Sequence, residues 1–174
     1  MRELSEVGQL LHEEHFRFLV AICGLQNRIG DEFRDHPLDP RIAEDRDQLD
    51  ALIAGLDDII DHHRFEEVNL FPLIGAVGDV DLVSVLLGEH GTIEPKANRL
   101  RAIASALRRN GATHGRWSRF RIATEDLIAD MMAHLEKEEL RVVQRLASLL
   151  DAETDHALAR GRVGKRRGGG PPPP

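Results

Sequence analysis

Tyrosine is absent from this 174-residue sequence, tryptophan occurs once, and aromatic residues make up only 4% of the whole. A sheet held by aromatic cross-strand pairs has little material here, whereas Leu, Ile, Ala, Arg, Asp and Glu dominate, a mixture that favours helix. The single cysteine, Cys23, excludes an internal disulfide framework and iron–sulfur ligation by this chain alone. A cytoplasmic location is the expectation that follows. No apolar run approaches the roughly 20 residues that span a bilayer, and Arg2, Glu3 and Glu6 place charge at the very start. Neither secretion nor a membrane anchor is expected. The formal net charge is -7 with acidic and basic residues interleaved, so no basic face attracts phosphate backbones and nucleic acid is not an expected partner.

What the sequence does hold is helical periodicity and histidine. The length suits one domain with a real core. Leu11, Phe16, Leu19, Ile22, Cys23 and Ile29 fall largely at helical spacing, which predicts a first helix from Leu4 to Phe33. Pro37 and Pro40 break the chain, and a second helix follows from Arg41 to about Phe71. Pro72, Gly75 and Gly78 mark the next connection, then Val80 to Asn110 forms a third helix that Pro95 should kink. After Gly111 to Gly115 a fourth helix runs from Trp117 to Leu150, with a ragged continuation toward Ala159. Helices of about 30 residues with short connections predict an all-α, up-down-up-down four-helix bundle over residues 1–160. Residues 161–174, with Lys165-Arg166-Arg167, Gly168 to Gly170 and Pro171 to Pro174, are expected to be a disordered basic tail.

The nine histidines are not scattered. His62-His63-Arg64-Phe65-Glu66-Glu67 in the second helix and His134-Leu135-Glu136-Lys137-Glu138-Glu139 in the fourth both read as His, three residues, then Glu-Glu. Leu11-His12-Glu13-Glu14-His15 and Leu86-Leu87-Gly88-Glu89-His90 both read as Leu-x-x-Glu-His. From His15 to His62 is 47 positions and from His90 to His134 is 44, so the two halves keep nearly the same internal spacing. Residues four apart lie on one helix face, so each His/Glu pair can present an imidazole and a carboxylate to one place. Four imidazoles (His15, His62, His90, His134) and two carboxylates (Glu66, Glu138) then converge in the bundle. If each carboxylate bridges two metals, every metal receives two nitrogens and two oxygens and keeps positions open. Mixed imidazole and carboxylate ligation suits iron first and manganese second, since structural zinc usually takes thiolate-rich sets.

These motifs resemble the hemerythrin-like family, the HHE cation-binding proteins, over roughly residues 8–150, and Glu66-Glu67-Val68-Asn69-Leu70-Phe71-Pro72 is similar to the family's acidic pair followed by Leu-Phe-Pro. The resemblance implies two iron ions joined by an oxo or hydroxo bridge, with His15 and His62 on one, His90 and His134 on the other, and Glu66 and Glu138 bridging. Oxygen-carrying members have a fifth histidine four residues after the one on the third helix, where this sequence has Glu94. An anionic oxygen ligand there would favour the ferric state and turnover or sensing over reversible carriage, although distortion at Pro95 would instead turn that carboxylate away. Family members include oxygen carriers, sensors, proteins of nitric-oxide or peroxide stress and iron-handling proteins. The implied function is therefore an open di-iron site that binds or reduces oxygen, nitric oxide or hydrogen peroxide in redox stress response, the alternative being an oxygen or redox sensor or an iron-binding module without turnover.

Simpler readings stand beside these. A single histidine on a bundle face is more often a half-exposed polar residue than a ligand; the paired repeat is what separates the six from that background. His63 points about 100° from His62 and either supports a ligand from behind or faces solvent. Glu67 and Glu139 read as outer-face charges, with Glu139 the rival of Glu138 as bridge, His12 as exposed, Cys23 as a small core residue, and His36, His114 and His156 as solvated. A metal-free bundle of buried ion pairs would be costly to form.

Overall fold

A computed structural model describes the backbone of residues 4–168 and the side chains of residues 4–164. Seven α-helices, α1 (Glu6–Ile29), α2 (Ala43–Phe65), α3 (Phe71–Ala76), α4 (Val80–Asn110), α5 (His114–Glu138), α6 (Gln144–Leu149) and α7 (Ala152–Gly168), account for most of it, and no strand occurs among the described residues. Two π-helical turns, Glu66–Leu70 and Glu139–Val143, join α2 to α3 and α5 to α6. None of the described helices is long and apolar enough to cross a membrane.

The ends of the long helices follow from their local chemistry. Ser5 accepts a hydrogen bond from the Gly8 N–H and Thr113 one from the Arg116 N–H, so α1 and α5 both start on a side-chain cap. Helix α4 stops at Gly111, whose φ of 69° is open to glycine at little cost. Pro95 lies inside α4 without interrupting it.

Cross-helix pairs give the topology. Arg28–Asp45 (3.7 Å) joins α1 to α2, where His15 and His62 also meet; Arg101–Asp57 (2.5 Å) and Arg108–Asp50 (2.8 Å) join α4 to α2. Lys96–Asp130 and Lys137–Glu89 join α4 to α5, while Arg121 reaches the Ile29 carbonyl and Glu139 reaches His15 between α5 and α1. In each case one residue number rises as its partner's falls, so every neighbouring pair is antiparallel and the four long helices close an up-down-up-down ring.

Side chains at three- and four-residue spacing fill the interior, as Val7, Leu11, Phe18, Ile22 and Ile29 of α1 and Leu82, Leu86, Ile93, Ala97, Leu100, Ala104 and Leu107 of α4 do. Two positions on α1 differ from expectation: Phe16 is 62% exposed and Phe18 takes its place in the core, and Cys23 is exposed rather than buried. Phe16 and Cys23 lie roughly 120–140° around α1 from the stripe that Leu11, Phe18 and Ile22 form.

Helix α7 replaces part of the expected tail. The chain is helical across Gly161 and on to Gly168, and it packs on α1; residues 169–174 lie outside the described residues. The Asp155 carboxylate accepts from the backbone N–H of Glu6 (2.7 Å) and Val7 (3.0 Å) at the positive end of α1, and Arg162, 2% exposed, runs inward. A boundary at residue 160 does not match this helix.

Candidate metal centre

The interior holds two apolar clusters. One gathers Phe18, Ile22, Leu56, Ile59, Ile93 and Met131, the other Val7, Leu11, Phe65, Leu70, Phe71, Leu86 and Val142. Along each long helix the predicted ligand residues sit where one cluster gives way to the other: His15 between Leu11 and Phe18, His62 between Ile59 and Phe65, His90 between Leu86 and Ile93, His134 and Glu138 between Met131 and Val142. A polar layer thus crosses an apolar bundle.

All six predicted residues, His15, His62, Glu66, His90, His134 and Glu138, are in that layer and none is more than 1% exposed. Glu66 Oε1 is 3.4 Å from His62 Nε2 and its Oε2 is 3.6 Å from His90 Nε2. Glu138 Oε2 is 3.3 Å from His15 Nε2 and 3.3 Å from His134 Nε2, while Oε1 is 3.7 Å from His90 Nε2. Each carboxylate therefore reaches histidines of both halves. Between them they draw two groups of potential metal-binding atoms, His15 with His62, Glu66 and Glu138, and His90 with His134, Glu66 and Glu138.

Four further glutamates fix the rings from outside. His15 Nδ1–H donates to Glu139 (2.7 Å), His62 Nδ1–H to Glu14 (2.6 Å), His90 Nδ1–H to Glu67 (2.9 Å) and His134 Nδ1–H to Glu89 (3.0 Å). With Nδ1–H held by a carboxylate, each Nε2 faces the centre, which is how metal-binding histidines are usually oriented. The pairing obeys the sequence repeat: the glutamate before His15 or His90 holds the histidine of the next helix, and the glutamate after Glu66 or Glu138 holds His90 or His15.

Glu67 and Glu139 are consequently not outer-face charges, and Glu138 rather than Glu139 faces the interior. The π turns explain why. The Phe71 N–H bonds to the Glu66 carbonyl five residues back, so the turn is wider than an α-helical one and consecutive glutamates both stay on the bundle side. Pro72 does not create this geometry, because its counterpart in the second half is Gln144 and the π turn is present there too. Glu14, Glu67, Glu89 and Glu139 were legible as repeated letters, yet an ideal α-helical phase points the last residue of each Glu-Glu away. His12 donates to the other oxygen of Glu139 (2.9 Å) and is half exposed; His36, His114 and His156 are exposed.

The electrostatics suit a cation. Burial opposes charge on His15, His62 and His90, but the surrounding carboxylates outweigh it and raise all three, His62 well above 6.5. Burial likewise opposes ionisation of Glu138, but the imidazoles of His15, His62 and His90, 3.3–3.9 Å from its oxygens, hold its carboxyl well below the usual range. Glu14 is held down to about 2, hydrogen bonds from His62 and Arg162 overcoming its burial. Both oxygens of Glu66 and Glu138 and the Nε2 atoms of His90 and His134 are fully buried without hydrogen-bond partners. Such orphans are costly unless something binds them. Two imidazole nitrogens each about 2.1 Å from one ion at right angles would stand about 3 Å apart, and His15 Nε2 and His62 Nε2 are 3.0 Å apart. The residues present fit a metal centre.

The sequence leaves two residues with alternative readings. His63 is fully buried rather than solvent-facing, its ring stacked on His90 at 3.8 Å, and burial together with the neighbouring His90 and His134 pushes its pKa down to about 2. Glu94 belongs to none of the potential metal-binding groups among the described residues and is about one-third exposed, with Oε1 3.6 Å from His63 Nδ1.

The family model for the hemerythrin HHE cation binding domain matches residues 8–146, a span that includes all six inward residues and all four outer glutamates. No curated protein and no solved structure matches the chain.

Proposed function

The chain belongs to the hemerythrin HHE cation-binding family, and from that premise we propose that its centre holds a pair of iron ions that binds or reduces a small ligand of the oxygen, nitric oxide or peroxide class. The observation that carries this reading is the ring of four imidazoles, each backed by its own carboxylate, around two glutamates that each reach both halves. His15 and His62 would hold one ion, His90 and His134 the other, and Glu66 and Glu138 would bridge them. No thiolate lies in the layer and the set is nitrogen and oxygen only, which favours iron or manganese over structural zinc. A redox-active metal with an open position supplies ligand polarisation and electron transfer. The protein's part is to keep the site dry with the two apolar clusters, hold the Nδ1 protons on Glu139, Glu14, Glu67 and Glu89, and retain negative charge on Glu138.

The test is metal content and an optical spectrum after loading with ferrous iron, for the native chain and the His62→Ala and Glu138→Ala variants. About two irons per chain with near-ultraviolet absorption of a bridged ferric pair, lost in both variants, is the expected result; folded native protein that takes up no iron overturns the reading. Consumption of hydrogen peroxide or nitric oxide then decides for turnover.

A sensing role without turnover has one specific observation in its favour. Arg162 of α7 grips both oxygens of Glu14 at 2.9 Å, and Glu14 holds His62, so the last helix is linked to a metal-facing imidazole through a single carboxylate. Absence of any turnover, with α7 protection that changes with metal oxidation state, would select this role.

A further inference from the structure

The layer contains a fifth histidine that the two-plus-two arrangement leaves unexplained. His63 is fully buried and neither of its ring nitrogens has a hydrogen-bond partner. A neutral imidazole with both polar atoms desolvated is an expensive way to fill space when Leu would do. In the second half of the repeat Leu does fill it: His62 corresponds to His134, so His63 corresponds to Leu135, which is buried in the apolar core.

The ring is also placed for ligation. A nitrogen of His63 lies within 4.8 Å of nitrogens of His90 and His134, forming a third potential metal-binding group that shares those two histidines with the group containing Glu66 and Glu138. Its ring is nearly parallel to His90, at 5°, and edge-on to His134, with centroids 5.3 Å apart. The Glu94 carboxylate stands 3.6 Å from His63 Nδ1, beyond a formed hydrogen bond but on the side where Glu139, Glu14, Glu67 and Glu89 back the other four rings.

Resting on the iron-pair reading of the same site, we propose that His63 is a third imidazole ligand of the ion held by His90 and His134, with Glu94 as the carboxylate that receives its Nδ1–H. The centre is then unsymmetrical. One ion has three imidazoles from α2, α4 and α5; the other has only His15 and His62 and keeps the open position, so a small ligand enters on the α1 side. Glu94 stands outside the ligand set yet orients a member of it.

Mössbauer spectroscopy of protein loaded with iron-57 separates these possibilities without reference to activity. The native chain should give two quadrupole doublets of equal area, and His63→Leu, which copies the residue at the repeat-related position, should merge them while far-ultraviolet circular dichroism stays unchanged. His63→Gln guards against a packing artefact, and Glu94→Gln should shift only the doublet that His63→Leu alters. A single doublet in the native protein, or two doublets unaltered in both His63 variants, overturns the role of His63 and leaves the iron pair standing. Native protein that binds no iron overturns both.

Discussion

At the scale of single residues, the informative contrast is between neighbours in the two Glu-Glu pairs. Glu138 touches imidazoles directly, whereas Glu139 touches only the outer nitrogens of His15 and His12. Removing Glu139 should therefore leave the ligand set complete but free the His15 ring to rotate. We expect Glu139→Ala to weaken iron retention roughly 10- to 100-fold, the usual range for a residue that orients a metal-binding histidine. Chelator competition measures this, with exposed Glu136→Ala as control; equal retention in both variants would remove Glu139 from the site. The six inward residues were legible because i, i+4 spacing repeats in both halves. Their outer partners were not, since the direction of Glu67 and Glu139 depends on a π turn that no local letter announces. Phe16 and Phe18 illustrate the same limit: two residues of one type, two positions apart, are divided between solvent and core by the packing of whole helices.

At the scale of elements, α7 is where sequence and structure part most. Gly161 and Gly164 are poor helix material. Tertiary contacts override that preference: Asp155 caps α1, and Arg162 lies over Phe65 (5.1 Å) with its guanidinium between Glu14 and Asp61. Breaking a buried pair by removing one partner costs about 3 kcal/mol or more, and at this size each kcal/mol lowers the melting temperature by roughly 2–4 °C. Arg162→Ala should accordingly lower it by about 6–12 °C and expose α7 amides to exchange; a drop under a degree would mean that α7 docks without Arg162. The same cluster sets an acid limit. Glu14 has a folded-state pKa of about 2 against 4.5 for an ordinary glutamate, so its stabilisation is complete above 4.5 and is lost as pH falls toward 2. Thermal melts from pH 5 to 2.5 should fall more steeply for the native chain than for Glu14→Gln, and parallel curves would contradict this.

At the scale of the whole molecule, the polar layer divides the interior, so metal is expected to join two apolar cores that could otherwise loosen separately. Without metal, the raised pKa values of His15, His62 and His90 favour their charged forms in the folded state. That contribution is fully present below the ordinary imidazole value of 6.5 and is lost as pH rises through the higher folded values. Metal binding has the opposite slope, because it requires the imidazoles to give up the protons that these carboxylates favour. The difference in melting temperature between iron-loaded and chelated protein should consequently widen from pH 5.5 to pH 8. Ligand linkage sets its size, about 2.7 kcal/mol when free metal is a hundred times its dissociation constant. The loss on chelation should also be uneven. The cluster around Val7, Leu11, Phe71, Leu86 and Val142 rests on both π turns and short helices α3 and α6, whereas the other is formed by the long helices with Leu38 of the α1–α2 connection. Hydrogen exchange after chelation should thus rise first in residues 66–86 and 139–150 and only later near Leu56, Leu100 and Phe120. Uniform acceleration along the chain would mean instead that the bundle opens as one cooperative unit and that metal binds across it without dividing it.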